Sequence, residues 1–310
     1  MPRKPKGRPI DGWLVIDKPS GMTSTDVVNA VKRSLGAQKV GHGGTLDPLA
    51  TGVLPLALGV GTKTVPYAMD GTKEYRFTLR FGEARDSDDA DGAVTATSEV
   101  RPSDEQIRAA LPAFTGLIMQ VPPRYSAVKI AGERAYDLAR SGAEVELAAR
   151  PAQVDRFELV ERPDADTAVF AVESGKGVYM RSLARDLALA LGTVGHVAAL
   201  RRKRVGPFTE DRAVSLDKLL SLGQEPAALS LVLPVETALA DIPALALTGE
   251  EAARLTNGQA LSLVPFLSRM PQDADPDGGL VRVMAGGKAL ALGRLGEGML
   301  HPVRLLSHAV

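Results

Sequence analysis

Asp47 is surrounded by the residues that suit a single reacting carboxylate. The run Gly41-His42-Gly43-Gly44-Thr45-Leu46-Asp47-Pro48-Leu49-Ala50-Thr51-Gly52 sets one acid among glycines, a proline and little bulk. Glycine admits backbone conformations and close approaches that other residues resist, while Pro48 fixes its own φ and biases Asp47 toward an extended conformation. A carboxylate held on such a loop can act as nucleophile or as general base. The same letters also spell an ordinary Asp-Pro turn, so the chemistry depends on what the fold brings beside them.

Other residues narrow the choice. The chain has no cysteine and four histidines, which removes disulfides, thiolate metal sites and cysteine nucleophiles. Arg201-Arg202-Lys203-Arg204 is a run of four cations, and Arg3, Lys4, Lys6 and Arg8 form a second basic group near the start. Lysines and arginines number 37, as do acids, so a polyanion must be held by such local patches rather than by net charge. For each patch a solvated charge run is the plain alternative. Asp86, Asp88, Asp89 and Asp91-Gly92 superficially suggest calcium, but the glutamate expected at the twelfth position of an EF-hand loop is missing; the reading is a solvated turn.

The elements that must position these residues follow from periodicity. Gly12 to Asp17 reads as a buried strand ended by the Lys18-Pro19-Ser20-Gly21 turn. Thr23 and Asp26 have capping-box spacing ahead of Val27, Val31 and Leu35, and Gly36 supplies the stop. From Lys73 to Gly82 the alternation puts Tyr75, Phe77, Leu79 and Phe81 on one face, a half-buried strand in which core packing alone would account for Tyr75. Ser103 and Gln106 cap another helix, closed at Pro112. Thr167 to Glu173 is strand-like, and Tyr179 to Leu191 is helical with Gly192 as its stop. Gln120 to Arg150 reads as an insertion with helical Tyr136, Leu138 and Ala139. Beyond Asp241-Ile242-Pro243, Thr248 and Glu251 cap a short helix, short strands follow, and Met270 to Gly279 is a loop.

With 310 residues, 45% of them hydrophobic and 24% charged, the chain has the composition of a soluble protein of one large domain plus a small one. The basic start is not followed by an apolar run of signal-peptide length, so export is not expected and the cytoplasm is the expected compartment.

Several separated blocks together resemble the TruB family, the bacterial tRNA pseudouridine-55 synthases. They are Asp17-Lys18-Pro19-Ser20-Gly21-Met22-Thr23-Ser24, the Asp47 loop, Lys73-Glu74-Tyr75, Gln120-Val121-Pro122-Pro123-Arg124-Tyr125-Ser126-Ala127, Gly175-Lys176-Gly177-Val178-Tyr179-Met180-Arg181-Ser182 and Leu200-Arg201-Arg202. Gly43 falls where the family varies. The resemblance implies an α+β pseudouridine synthase fold, with a central mixed, mainly antiparallel sheet flanked by helices and a small β-rich PUA-like C-terminal domain. It places the catalytic domain at 1–240, with an RNA-gripping insertion at about 124–150, and the PUA-like domain at 241–310; Leu247-Thr248, Ala252, Leu255 and Asn257-Gly258-Gln259 carry the latter match.

The implied activity breaks the C1′–N1 bond of a uridine in the tRNA T-loop, turns the uracil and joins its C5 to C1′. No cofactor and no metal are implied, and the partner is tRNA through its T-arm and elbow, with the chain acting as a monomer without an obligate protein partner. By position, Asp47 matches the catalytic aspartate and Arg181 the arginine that pairs with it, which would keep the carboxylate ionised by lowering its pKa. Tyr75 matches the tyrosine that stacks on the target base, its hydroxyl available for a proton transfer. His42, Tyr179 and Leu200 match residues that contact the flipped nucleotides. Arg201 and Arg202, with Lys203 and Arg204, are expected on phosphates, and Lys18 and Pro19 are expected to buttress the Asp47 loop. The sequence does not choose between attack on C6, attack on C1′ and abstraction of the 2′ proton. An RNA-folding chaperone would use the same basic and aromatic residues, whereas a carboxylate glycosidase would need a second positioned acid that these blocks lack.

Overall fold

The structure, a computed structural model, describes residues 7–126, 129–130, 133–134 and 147–306. The helical reading of Tyr136, Leu138 and Ala139 lies outside these residues. In chain order the elements are β1 (Gly12–Lys18), α1 (Ser24–Leu35), β2 (Val40–His42), β3 (Thr51–Leu58), α2 (Val65–Asp70), β4 (Lys73–Phe81), β5 (Glu83–Arg85), β6 (Val94–Thr97), α3 (Asp104–Ala110) and β7 (Gly116–Gln120). They continue with β8 (Lys129–Ile130), β9 (Glu133–Arg134), β10 (Arg150–Glu161), β11 (Thr167–Ser174), α4 (Met180–Ala190) and β12 (Gly195–Val205).

A ten-stranded sheet runs in the order Val214–Ser215, β1, β3, β12, β4, β11, β10, β7, with β2 and the short strand Phe208–Thr209 paired beside it. Pairing is antiparallel except between β1 and Val214–Ser215 and between β3 and β12, so the sheet is mixed and mainly antiparallel. β1 explains itself by burial on both faces, which removes the need for alternation. Leu14 and Ile16 enter the main core; Trp13 and Val15 enter a smaller one on the other face. There Trp13 packs on Phe208, ring centroids 4.8 Å apart, and its Nε1 donates to Thr64 Oγ1 at 3.1 Å. In β4 the alternation holds: Phe77, Leu79 and Phe81 are buried, Arg76 and Arg80 exposed. Phe77 stacks on Phe170 of β11, with centroids 5.3 Å apart.

The helix signals are realised in their details. Thr23 and Asp26 form a reciprocal capping box, and Gly36 ends α1 in the left-handed conformation at φ 60° that a side chain would strain. Ser103 and Gln106 do the same for α3; Pro112 then continues into a 3₁₀ turn, Leu111–Phe114, rather than ending all helical structure. A separate five-stranded sheet is built from Ala244–Ala246, Leu280–Ala285, Lys288–Gly296, Met299–Leu305 and Leu261–Ser262, with the Thr248-capped helix Gly249–Thr256 beside it. It has its own apolar core around Leu255, Phe266, Val283 and Leu300, and the fold is α+β. A smaller cluster, Leu239, Ala289, Leu292 and Leu306 with Val60 and Tyr67 against them, joins it to the main body. Among the described residues, no helix is long and apolar enough to cross a membrane.

Candidate active site

Asp47 lies between β2 and β3, and its loop is fixed by side chains from three other elements. Ser24, the first residue of α1, receives a hydrogen bond from Leu46 N at 2.9 Å and donates one to Leu46 O at 3.1 Å. Lys18, at the end of β1, is fully buried and donates through Nζ to the carbonyls of Pro19 (2.8 Å), Met22 (2.6 Å) and Pro48 (3.1 Å). From β12, Arg202 donates to Thr45 O and Gly44 O, each at 3.1 Å. Burial lowers the Lys18 pKa to about 8 against the opposing pull of Asp47, with Arg202 lowering it further. The expected buttressing duty of Lys18 is what these contacts describe.

Strand register puts these anchors in one row. Lys18 of β1 faces Gly52 of β3, Gly52 faces Arg202 of β12, Arg202 faces Tyr75 of β4, and Tyr75 faces Val172 of β11. Cross-strand partners share a face of the sheet. Gly52 is required in the row: its φ is 97°, and a Cβ there would collide with the backbone carbonyl of Arg202.

Arg181 reaches Asp47 from the opposite side. It is the second residue of α4, whose start is set by Gln120: Tyr179 N donates to Gln120 Oε1 at 2.8 Å and Gln120 Nε2 donates to Tyr179 O at 3.1 Å. The Arg181 side chain is 6% exposed and grips both carboxylate oxygens, Nη2 to Oδ1 at 3.1 Å and Nε to Oδ2 at 3.0 Å. Its remaining donors go to Ser87 O (3.0 Å) and Tyr125 O (2.8 Å), and Asp89 Oδ2 stands 3.7 Å from Nη1. The net effect on Asp47 is upward. Burial pushes its carboxyl above the ordinary range, Arg181 pulls it down and Asp89 pushes it up again. The two-pronged arginine favours the charged carboxylate against the effect of burial, and 34% of the Asp47 side-chain surface stays accessible to solvent.

The acidic loop is thereby corrected. Asp89 is 5% exposed, not solvated; Ser87 Oγ donates to its Oδ1 at 2.5 Å and Asp91 N does so at 3.2 Å. Asp88, at φ 60°, receives Arg185 Nη1 at 2.9 Å. These acids hold the arginines of α4, a role that their clustering advertised but that composition alone could not distinguish from a polar turn. Among the described residues no group of three or more His, Asp or Glu is placed to hold a metal ion.

The basic run is corrected as well. β12 turns Arg202 inward, a bulge between Arg202 and Arg204 leaves the other three cations on the outer side, and each of those meets acids. Arg201 grips both Asp17 oxygens at 3.0 Å and Glu210 at 2.5 Å, Lys203 meets Glu210 at 3.2 Å, and Arg204 meets Glu74 at 2.9 Å and Glu173 at 3.1 Å. Arg202, expected on phosphate, is 2% exposed and points inward. Tyr75 is half-buried at the site end of β4, across from Arg202 in register. His42 ends β2 with Nδ1 buried and without a hydrogen-bond partner among the described residues; burial and Arg202 lower its pKa, so the ring is neutral. Tyr179 is half-buried near Asp47 and Arg181, and Leu200 is a 7% exposed part of the core.

Three family models cover the chain almost end to end: TruB family pseudouridylate synthase, N-terminal domain, at residues 32–180; tRNA pseudouridylate synthase B C-terminal domain at 181–240; and pseudouridine synthase II TruB, C-terminal, at 243–306. The chain is 68% identical over 305 residues to tRNA pseudouridine synthase B of Gluconacetobacter diazotrophicus, covering 98% of this chain and 100% of that one. It belongs to the TruB family. The protein of the same name from Rhodospirillum rubrum is 54% identical over 307 residues, covering 99% and 100% of the two chains. Among solved structures, a Cbf5-Nop10-Gar1 complex matches with a TM-score of 0.74 at 28% identity, covering 96% of this chain and 85% of that one. An H/ACA ribonucleoprotein bound to a substrate RNA containing 2′-deoxyuridine matches with a TM-score of 0.76 at 24% identity, over 100% and 92%, and shows the shared fold. TruB membership makes this chain a pseudouridine synthase, an enzyme that isomerises uridine in tRNA.

Proposed function

We propose that this chain converts uridine 55 in the tRNA T-loop to pseudouridine, with the base extruded from its stack and Asp47 as the catalytic carboxylate. The observation that carries the reading is the two-pronged Arg181 grip on a carboxylate that remains one-third exposed. A buried arginine fixes the direction of the reacting oxygen and keeps it charged, and the open side leaves room for a nucleoside. In the overall change, C1′–N1 breaks, the uracil turns while retained, C5 bonds to C1′, and the C5 proton leaves to an oxygen base as N1 takes one up. Tyr75 stacks on the uracil and exchanges that proton, a role supported by its half-buried position in the row that carries Lys18 and Arg202.

His42, neutral and with an unfilled Nδ1, and Tyr179 at the start of α4 are the partners for extruded and neighbouring nucleotides, with Leu200 as apolar floor. Extrusion costs a few kcal/mol, recovered by such stacking and by contact with the phosphate backbone. Residues 1–240 then form the catalytic unit and 241–310 an accessory RNA-binding unit, working as a monomer in the cytoplasm on the T-arm and elbow. An unmodified tRNA transcript incubated with wild type and Asp47→Asn, followed by carbodiimide mapping and a parallel binding assay, tests this. One T-loop pseudouridine made by wild type and lost in the variant, with binding retained, is the expected result. Binding without modification by wild type would sink the synthase reading and leave an RNA-folding chaperone.

A further inference from the structure

Arg202 sits where two parts of the site meet. Its Nε donates to Val53 O at 2.9 Å, at the start of β3; its Nη1 and Nη2 donate to Thr45 O and Gly44 O, each at 3.1 Å, just before Asp47. Tyr75 is its register partner on the neighbouring strand β4, so the two side chains share a face of the sheet. One rigid, planar fork therefore spans the entry and the exit of the Asp47 loop, with Tyr75 beside it in the row. An arginine that grips phosphate needs donors facing solvent, and this one is 2% exposed. Its charge is balanced at a distance by Asp47 rather than by a contacting carboxylate.

We infer that Arg202 is a positioning residue for the isomerisation, holding the Asp47 loop and the Tyr75 hydroxyl in a single frame, and that it makes no contact with RNA. The inference rests on the synthase reading above. Lysine cannot replace it, because an ammonium is a point donor that cannot span three separate carbonyls.

The test uses the full chain and unmodified tRNA, with single-turnover rates and tRNA Kd measured separately for Arg202→Lys, Arg202→Met, Tyr75→Phe and the Arg202→Lys/Tyr75→Phe pair. Wild-type activity on the same tRNA confirms the synthase reading independently of the variants. Expected for Arg202→Lys is a rate loss of about a hundredfold, the usual cost of a reacting group displaced by about 1 Å, with Kd within about twofold. In the double variant the losses are less than multiplicative, because the two residues act as one unit. A weakened Kd with a shallower salt dependence would instead make Arg202 a phosphate contact and overturn the inference. So would strictly multiplicative losses. Should both Arg202 variants fail to fold, Tyr75→Phe alone decides: a lowered Tm is expected from taking the hydroxyl out of that frame, and an unchanged Tm overturns the link.

Discussion

At the scale of single residues, the site works by opposed electrostatics around one carboxylate. Burial and Asp89 raise the Asp47 pKa while Arg181 lowers it. Because the proposed role of Asp47 needs the ionised form, activity should rise with pH through the folded pKa, and the acid limb of the rate profile should lie above the ordinary carboxylate range. Arg181→Met removes the lowering partner, so the limb moves to higher pH. The rate at neutral pH should fall about a hundred- to a thousand-fold, the usual loss when one preorganised donor at a reacting oxygen is removed. Asp89→Asn removes a raising partner, and its acid limb moves the other way. Single-turnover rates between pH 5 and 8 check both, and limbs shifting in the same direction would contradict this electrostatic account. Tyr75→Phe keeps a ring that can stack but not a hydroxyl, so tRNA affinity should be retained while the rate falls.

At the scale of elements, the anchors of the Asp47 loop come from the start of α1, the end of β1 and the interior of β12, and their contribution is visible in stability. Lys18 has its pKa lowered from 10.5 to about 8 by burial. Between about pH 8 and 10.5 the native state has released a proton that the unfolded chain still holds, so Lys18 makes stability rise with pH across that window and costs most below it. Urea midpoints of wild type and Lys18→Met should therefore diverge in favour of wild type between pH 7.5 and about 10; a constant difference would exclude a buried, charged Lys18. Thr23→Ala, which opens the α1 capping box, should cost about 1 kcal/mol in the same assay. The caps, the β4 alternation and the Asp47 loop were legible in the sequence because each is written in neighbouring residues. Gln120 setting the start of α4, Asp89 behind Arg181 and the inward turn of Arg202 were not, because each depends on partners 59 or more positions away, brought close only by the fold. Four adjacent cations look like one patch in a string, whereas a strand sends them to two faces.

At the scale of the whole molecule, zero net charge is reproduced locally, and this decides how the protein must meet a polyanion. Arg201, Lys203 and Arg204 on β12 are each already paired with Asp17, Glu210, Glu74 or Glu173. These pairs are partly exposed, the kind that contributes little to stability and is readily exchanged. RNA that docks on this face must displace carboxylates from the cations, so binding there is weakened by the protein's own acids. Glu210 is the acid to remove, since it neutralises Arg201 at 2.5 Å and Lys203 at 3.2 Å. Glu210→Gln should tighten tRNA binding severalfold and steepen the slope of log K against log salt by about 0.7–0.9 for each phosphate newly engaged. The catalytic step should be unaffected at saturating tRNA, because Asp17 still holds Arg201. Salt titrations of Kd for wild type and Glu210→Gln make the measurement. If affinity and slope are both unchanged, the β12 cations are ties between strands, and the phosphates are held elsewhere on the molecule.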